Sequence, residues 1–413
     1  MARSSRASCD LFSQSLSSTA RRAVGGGRLS SARTNSVRPV VGQVSLASGT
    51  PTVRHSYTAM AQGKGLSSTY DVCVFGAGPA GIATAMRLRR ADADVVVLDR
   101  LATASSPWAG ESLPGTVGEP LGELGVRDRF LAAGHVPGYE VRVTWGTPEP
   151  RATPAILRPH GHGWHVDRSR FDADLRSGAA EAGCALRRYR RLVDLRRDGG
   201  ATWCARLDDD RVIGASFLVD ATGRCCAIAR RLGARQRRFD DLVALVARVP
   251  RNPDPADGNA LVLESTPDGW WYAAPVPGAH VLAYLTDRDL RDPAWRPSGM
   301  RVAAACSALI ESDQSAAEAG WLAAGDAFAA HDPLCGWGVE RALRNGLLAG
   351  DAIAAFLSGK GTSRLDSYGA PHYAPAVHSV ISLYDTIREQ AIKAGTVANR
   401  PSSTTSTRYW CGP

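Results

Sequence analysis

From Tyr70 onward the chain alternates short apolar runs with longer mixed segments. Asp71-Val72-Cys73-Val74-Phe75 is an apolar run closed by glycines, the pattern of a buried parallel strand. Residues 82–90 then predict a helix and 95–98 a second strand, which makes a βαβ unit. Helices are also predicted over 171–182 and 339–356, and strands over 217–219 and 281–286. Gly-, Pro- and Asp-rich stretches at 146–150, 250–258 and 291–299 read as loops. Strands alternating with helices imply a doubly wound α/β nucleotide domain. The Trp-, Tyr- and Val-rich segment from about 240 to 289 predicts a separate sheet, the second wall of a cleft.

Composition changes this picture at one place, the beginning. Of the net +9, residues before Ser68 supply eight Arg and Lys64 against the single acid Asp10, so the remainder carries about +1. The basic balance therefore belongs to residues 1–68, and no downstream basic patch interleaved with aromatics points to nucleic acid. An Arg- and Ser-rich, acid-poor leader reads as an organelle transit peptide, as disorder, or as sequence upstream of a true start at Met60. No run is long and apolar enough for a secretory core or a membrane helix, so a cytoplasmic protein without stable membrane insertion is expected, with organelle targeting the alternative. Nine scattered cysteines without a CxxC pair predict reduced thiols, with the neighbours Cys225 and Cys226 a candidate redox pair or buried hydrophobes.

The chemistry-bearing motif is Gly76-Ala77-Gly78-Pro79-Ala80-Gly81, between a predicted strand and a predicted helix. Gly76 permits the tight turn, Gly78 lets the backbone approach a pyrophosphate, and Gly81 lets helix and strand pack closely. Asp99 follows by about 18 residues, at the end of the second strand, where a carboxylate reaches an adenosine ribose. A second element lies far downstream. Trp321-Leu322-Ala323-Ala324 stops at Gly325-Asp326, and His331-Asp332-Pro333-Leu334-Cys335-Gly336-Trp337-Gly338 leads into a helix. A helix N-terminus there would stabilise the negative charge that a reduced flavin carries near N1, so the pair predicts FAD rather than NAD.

The second element resembles the second flavin fingerprint of the FAD monooxygenases. Four further stretches sharpen the likeness: Gly110-Glu111-Ser112-Leu113-Pro114, the segment from Gly163-Trp164-His165 to Phe171-Asp172, Asp220-Ala221-Thr222-Gly223-Arg224, and Gly269-Trp270-Trp271-Tyr272-Ala273-Ala274-Pro275 followed by Thr286-Asp287. In this order they resemble the tryptophan-halogenase-like branch of flavin monooxygenases, most of all the lysine-oxidase-maturase type that matures peptidyl quinone cofactors. The resemblance covers roughly 70–357. It implies a Rossmann-like FAD-binding domain of the p-hydroxybenzoate-hydroxylase type interleaved with a mixed-sheet substrate domain. The FAD part would take about 69–135, 160–235 and 315–357, and the substrate sheet 136–159 and 236–314, with 358–413 a partly helical, then disordered tail. It further implies FAD contacts from Gly76, Gly78, Ala80, Gly81, Asp99, Arg100, Arg168, Asp220, Gly223, Gly325, Asp326, Pro333, Gly336 and Gly338.

Residue types then narrow the reaction. Flavin halogenases of that branch relay hypochlorous acid through a lysine. This chain has only Lys64, Lys360 and Lys393, and none lies between Gly76 and Gly338. Arginine stays protonated and is a poor nucleophile, so it does not substitute. The expectation is hydroxylation of an aromatic small molecule or client polypeptide through a flavin C4a-hydroperoxide, with dioxygen as co-substrate. Candidate bases are Glu111, His165 and His331, and Trp270, Trp271 and Tyr272 are candidate pocket walls. His160, His162 and His165 lack a carboxylate or Cys to complete a metal set, so no metal is expected. No second GxGxxG marks an NAD(P)H site, and electrons would come from NAD(P)H or a separate flavin reductase. The stretch between Asp287 and Gly325 is short for the branch. Two other functions share the scaffold: a reductase of the geranylgeranyl-reductase type and a flavin-binding maturation partner without turnover.

Overall fold

The computed structural model describes residues 66–100, 111–145, 149–199, 202–250, 259–266, 269–288, 301–312, 314 and 316–368. The leader through residue 65, the loops expected at 146–148, 251–258 and 291–299, and the tail beyond 368 lie outside the described residues.

The first strand, β1 (Ser68–Phe75), is central to a seven-stranded sheet. Its apolar residues Val72, Cys73, Val74 and Phe75 are all buried, as a strand covered on both faces requires. Helix α1 (Pro79–Arg89) follows, then β2 (Val95–Arg100), parallel to β1 on one side. On the other side β1 pairs in parallel with β3 (Val212–Asp220). β3 is longer than the apolar core 217–219 suggested, because two partners share it. Its first half takes the antiparallel strand Thr202–Leu207, and its last residues take the parallel strand β4 (Trp321–Ala323). The sheet thus carries an antiparallel edge on an otherwise parallel core, and β1, α1 and β2 form the expected βαβ unit.

Helix α2 (Gly338–Leu357) crosses α1 at very close range. A Cβ on Gly346 would sit 2.4 Å from the Ala80 carbonyl oxygen, and one on Gly350 would sit 2.6 Å from Arg87 Cβ. Small residues one turn apart therefore set the approach of the two helices. Arg87 clamps the crossing with a two-pronged pair to Asp351, at 2.6 and 3.1 Å.

A second seven-stranded sheet is built mainly from antiparallel strands: Leu242–Pro250, Ala260–Thr266, Gly269–Val276, Ala279–Asp287 and Arg301–Ala304, extended by Glu140–Thr144 and Arg151–Pro154. Its buried face, centred on Leu242, Val246, Trp270, Val281 and Leu285, is packed by Leu334 from the segment preceding α2. Two three-stranded sheets complete the described strands. One joins Glu111–Leu113, Val136–Gly138 and Gly163–Val166; the other joins Arg235–Arg238, Ala308–Glu311 and Ala329–Ala330. Among the described residues no helix is long and apolar enough to cross a membrane.

Candidate flavin site

Strand register assembles the site. Leu98, Phe75, Asp220 and Ala323 lie level across the sheet, at the carboxyl ends of β2, β1, β3 and β4. Backbone bonds stitch the segments that follow: Gly76 N–H to Leu98 O, Ala221 N–H to Phe75 O, and Ala324 N–H to Asp220 O. Four motifs spread over some 250 residues of chain thereby leave the sheet side by side, where open α/β sheets bind ligands.

Gly76 has φ +108°, and a Cβ there would lie 2.2 Å from the Ala221 carbonyl oxygen, so both conformation and space demand glycine. A Cβ on Gly81 would lie 2.0 Å from Gly76 O. Gly78 differs: nothing comes within 4 Å of its Cβ position, so open space lies in front of the backbone that caps α1. That helix has no side-chain cap and no acid in its first turn, which leaves its first N–H groups and its dipole for an outside anion. Asp99 stands beside them, with Oδ1 3.4 Å from Ala77 N, and Arg100 is exposed at the end of β2. This cradle of open glycine, uncapped N-terminus and neighbouring carboxylate fits the pyrophosphate and ribose of FAD.

The downstream element meets the upstream one directly. Gly325, at φ +62°, would place a Cβ 2.6 Å from Ala80 Cβ. Its N–H donates to the buried Asn345 Oδ1 at 2.6 Å, and Tyr368 holds that same oxygen at 3.0 Å. Asp326 pairs with Arg224 Nε at 3.2 Å. Asp332 caps the turn Pro333–Cys335 through the Leu334 N–H at 2.7 Å, and Gly336 leaves that turn at φ +65° before the open Gly338.

Other expected contacts have different surroundings. Asp220 is turned inward: its carboxylate accepts from Thr222 N and Oγ1 and from Ile228 and Ala229 N, so it shapes the loop through Gly223 rather than facing the open cradle. Arg168 opens the helix Arg168–Glu181 and pairs with Asp172 at 3.3 Å.

The candidate bases fare less well. Glu111 pairs with Val166 through the backbone, and its side chain lies outside the described residues. His165 is buried, and its Nε2 is 2.9 Å from the Asn259 carbonyl oxygen. A carbonyl only accepts, so Nε2 carries the proton and the ring braces the small sheet against the strand Ala260–Thr266. His331 is 6% exposed, and burial, with Arg341 and Arg224 nearby, pushes its pKa down to about 3. Such an imidazole is a weak base in these surroundings. The titratable group that sequence reasoning missed is its neighbour: burial raises the Asp332 carboxyl to about 7, further lifted by Asp240 and Asp287 and opposed by Leu334 N–H and Arg224.

The aromatic triplet does not form one wall. Strand alternation sends Trp270 and Tyr272 to the packed face, where Trp270 is 2% exposed, while Trp271 meets Tyr284 in a tilted contact with ring centroids 4.9 Å apart. The period of two made this legible in advance. Cys226 is buried with its thiol raised to about 12 and is unbonded to the exposed Cys225, so the buried-hydrophobe reading fits it. Among the described residues no three His, Cys, Asp or Glu side chains cluster as a metal site.

Sequence comparison agrees with this geometry, since the FAD binding domain family matches residues 69–314. The chain belongs to that family. It is 27% identical to the 1H-pyrrole-2-carbonyl-(peptidyl-carrier protein) brominase of Pseudoalteromonas luteoviolacea, over 74% of this chain and 81% of that protein. It is also 27% identical to LodB of Marinomonas mediterranea (54% and 61%) and to a menaquinone reductase of Mycolicibacterium smegmatis (70% and 78%). Among solved structures, the peptidyl tryptophan dihydroxylase QhpG shares the fold at a TM-score of 0.59 and 24% identity, over 81% of this chain and 76% of that one. This member of the family is an FAD-dependent oxidoreductase with the mixed α/β fold of the p-hydroxybenzoate-hydroxylase type.

Proposed function

We propose that the chain is an FAD-dependent monooxygenase that hydroxylates an aromatic or peptidyl substrate. The observation that carries the reading is the union of the two fingerprints at Ala80 and Gly325 in a chain with no lysine from Gly76 to Gly338. Bound and reduced, FAD supplies two electrons to dioxygen, one atom of which enters the substrate while the other leaves as water. The protein's own residues do the rest. The α1 N-terminus and Gly78 would hold the pyrophosphate, Asp99 the adenosine ribose and Asp326 the ribityl chain, while Gly336, Gly338 and the start of α2 would face the pyrimidine ring. The buried face of the second sheet, with Leu334 against it, would help to exclude water from the ring. Burial raises the Asp332 carboxyl to about 7, so the group beside the turn that leads into α2 would be able to exchange a proton near neutrality, as His331 would not.

A second reading, net reduction of a substrate, is favoured by the likeness to a menaquinone reductase over 70% of the chain. Labelled dioxygen separates the two. The FAD-loaded protein is reduced, supplied with aromatic and tryptophan- or tyrosine-containing peptide acceptors plus bromide, and exposed to ¹⁸O₂. A product heavier by one ¹⁸O supports hydroxylation. A product gaining only hydrogen establishes the reductase, and a brominated product establishes halogenation without the lysine relay.

A further inference from the structure

We propose that Arg224 is a positioning residue that fixes Asp326 and the segment from His331 in the geometry FAD requires, and ties both to the second sheet. The proposal rests on the flavin-site reading above. Arg224 lies in the turn Gly223–Cys225 after β3, with a side chain about four-fifths buried. Its guanidinium spans three separate parts of the chain. Nε faces Asp326 at 3.2 Å, Nη1 donates to the carbonyls of Ala305 (3.0 Å) and Cys306, and Nη2 donates to the His331 carbonyl at 2.9 Å. Ala305 and Cys306 link the last strand of the second sheet, Arg301–Ala304, to the strand Ala308–Glu311. One planar, rigid fork thus joins the β3 turn, the Gly325-Asp326 element, the start of the pre-α2 segment and the sheet edge.

The turn itself is anchored for this task. Gln236 Nε2 donates to the Arg224 carbonyl at 2.8 Å, and Cys226 closes the turn at φ +45°, a conformation costly for a residue with a Cβ. Such a backbone persists only where the surroundings enforce it. Arg224 is also an electrostatic hub. Its charge lowers the pKa of Asp332, Asp240 and Cys306 and helps to keep His331 neutral. The other charged groups acting on Asp332 are Asp240 and Asp287, both of which raise it; Arg341 is the other cation acting on His331. Neutralising Arg224 therefore moves the titration of this whole cluster upward, whereas a lysine keeps the charge and loses the fork.

FAD affinity of the full chain, followed by flavin fluorescence between pH 5.5 and 8.5, tests the proposal on wild type, R224K, R224Q, D326N and the R224Q/D326N double variant. Gly78→Val is the control for the site, and thermal melts of the apo forms report folding. Expected are a loss of about tenfold or more for R224Q and a double variant no weaker than the poorer single. The pH profile should shift upward in R224Q and not in R224K, with R224K intermediate in affinity. Unchanged affinity in R224Q, independent losses from R224Q and D326N, or an R224K indistinguishable from R224Q would overturn it. Should R224Q not fold, R224K and D326N decide by the same criteria: wild-type affinity in R224K overturns the need for the fork. If wild type does not bind FAD, or Gly78→Val binds as wild type does, the site reading itself falls and takes the proposal with it.

Discussion

Gly346→Ala should destabilise the protein, although alanine favours helix, and it should weaken FAD binding although residue 346 touches no cofactor. The new Cβ would lie 2.4 Å from Ala80 O and 2.8 Å from Ala83 Cβ. Both are well inside contact distance, and the first is backbone, so α1 and α2 must move apart locally. Overpacking of this kind costs about 1–3 kcal/mol, while replacing a helical glycine by alanine returns about 1 kcal/mol, leaving a net loss of up to about 2 kcal/mol. The matched control is Gly122→Ala, at an exposed position of the helix Gly118–Glu123, where nothing lies within 4 Å of the Cβ. There only the gain remains, up to about 1 kcal/mol. The crossing also presses Ala80 against Gly325, so spreading it disturbs the junction of the two flavin elements. Urea unfolding of the two variants, with FAD titrations alongside, measures both effects. A Gly346→Ala protein as stable as Gly122→Ala would refute the claim that the glycine stripe on α2 sets the approach of the helices.

Two further predictions concern charge. Asp99→Ala should weaken FAD binding by about 1.5–3 kcal/mol, roughly 10- to 100-fold, the range for a hydrogen bond to a charged group, and a fluorescence titration showing unchanged affinity would remove Asp99 from the ribose site. The neighbours His331 and Asp332 should impose opposite pH dependences on stability. His331 titrates at about 3 when folded and near 6.5 when unfolded, so the unfolded chain binds the extra proton and stability falls as pH drops below 6.5. Asp332 titrates at about 7 when folded and near 3.8 when unfolded, so the folded chain holds the extra proton and stability falls as pH rises from about 4 to 7. The two offset each other between about 4 and 6.5. Asp332→Asn should therefore gain stability relative to wild type as pH rises, by at most on the order of 4 kcal/mol at pH 8, as read from urea midpoints at pH 5 and 8; a constant difference would contradict the buried-carboxyl account.

Much of this protein was legible before folding. The β1–glycine–α1 turn, Asp99 and the Gly325-Asp326 element are local patterns, in which neighbouring residues dictate conformation and spacing dictates reach. The strands of the second sheet were legible too, and so, had the period of two been applied, was the division of Trp270 and Tyr272 from Trp271. Tertiary structure alone decided which of these met and what their side chains became. No spacing along the chain predicts that a guanidinium after β3 takes carbonyls from residues 305, 306 and 331, because those partners are set by the register of other strands. Nor does residue type predict that His331 becomes a poor base while Asp332 titrates near neutrality. A side chain's pKa is set by how much water and which charges surround it, and both are properties of the folded interior rather than of the sequence.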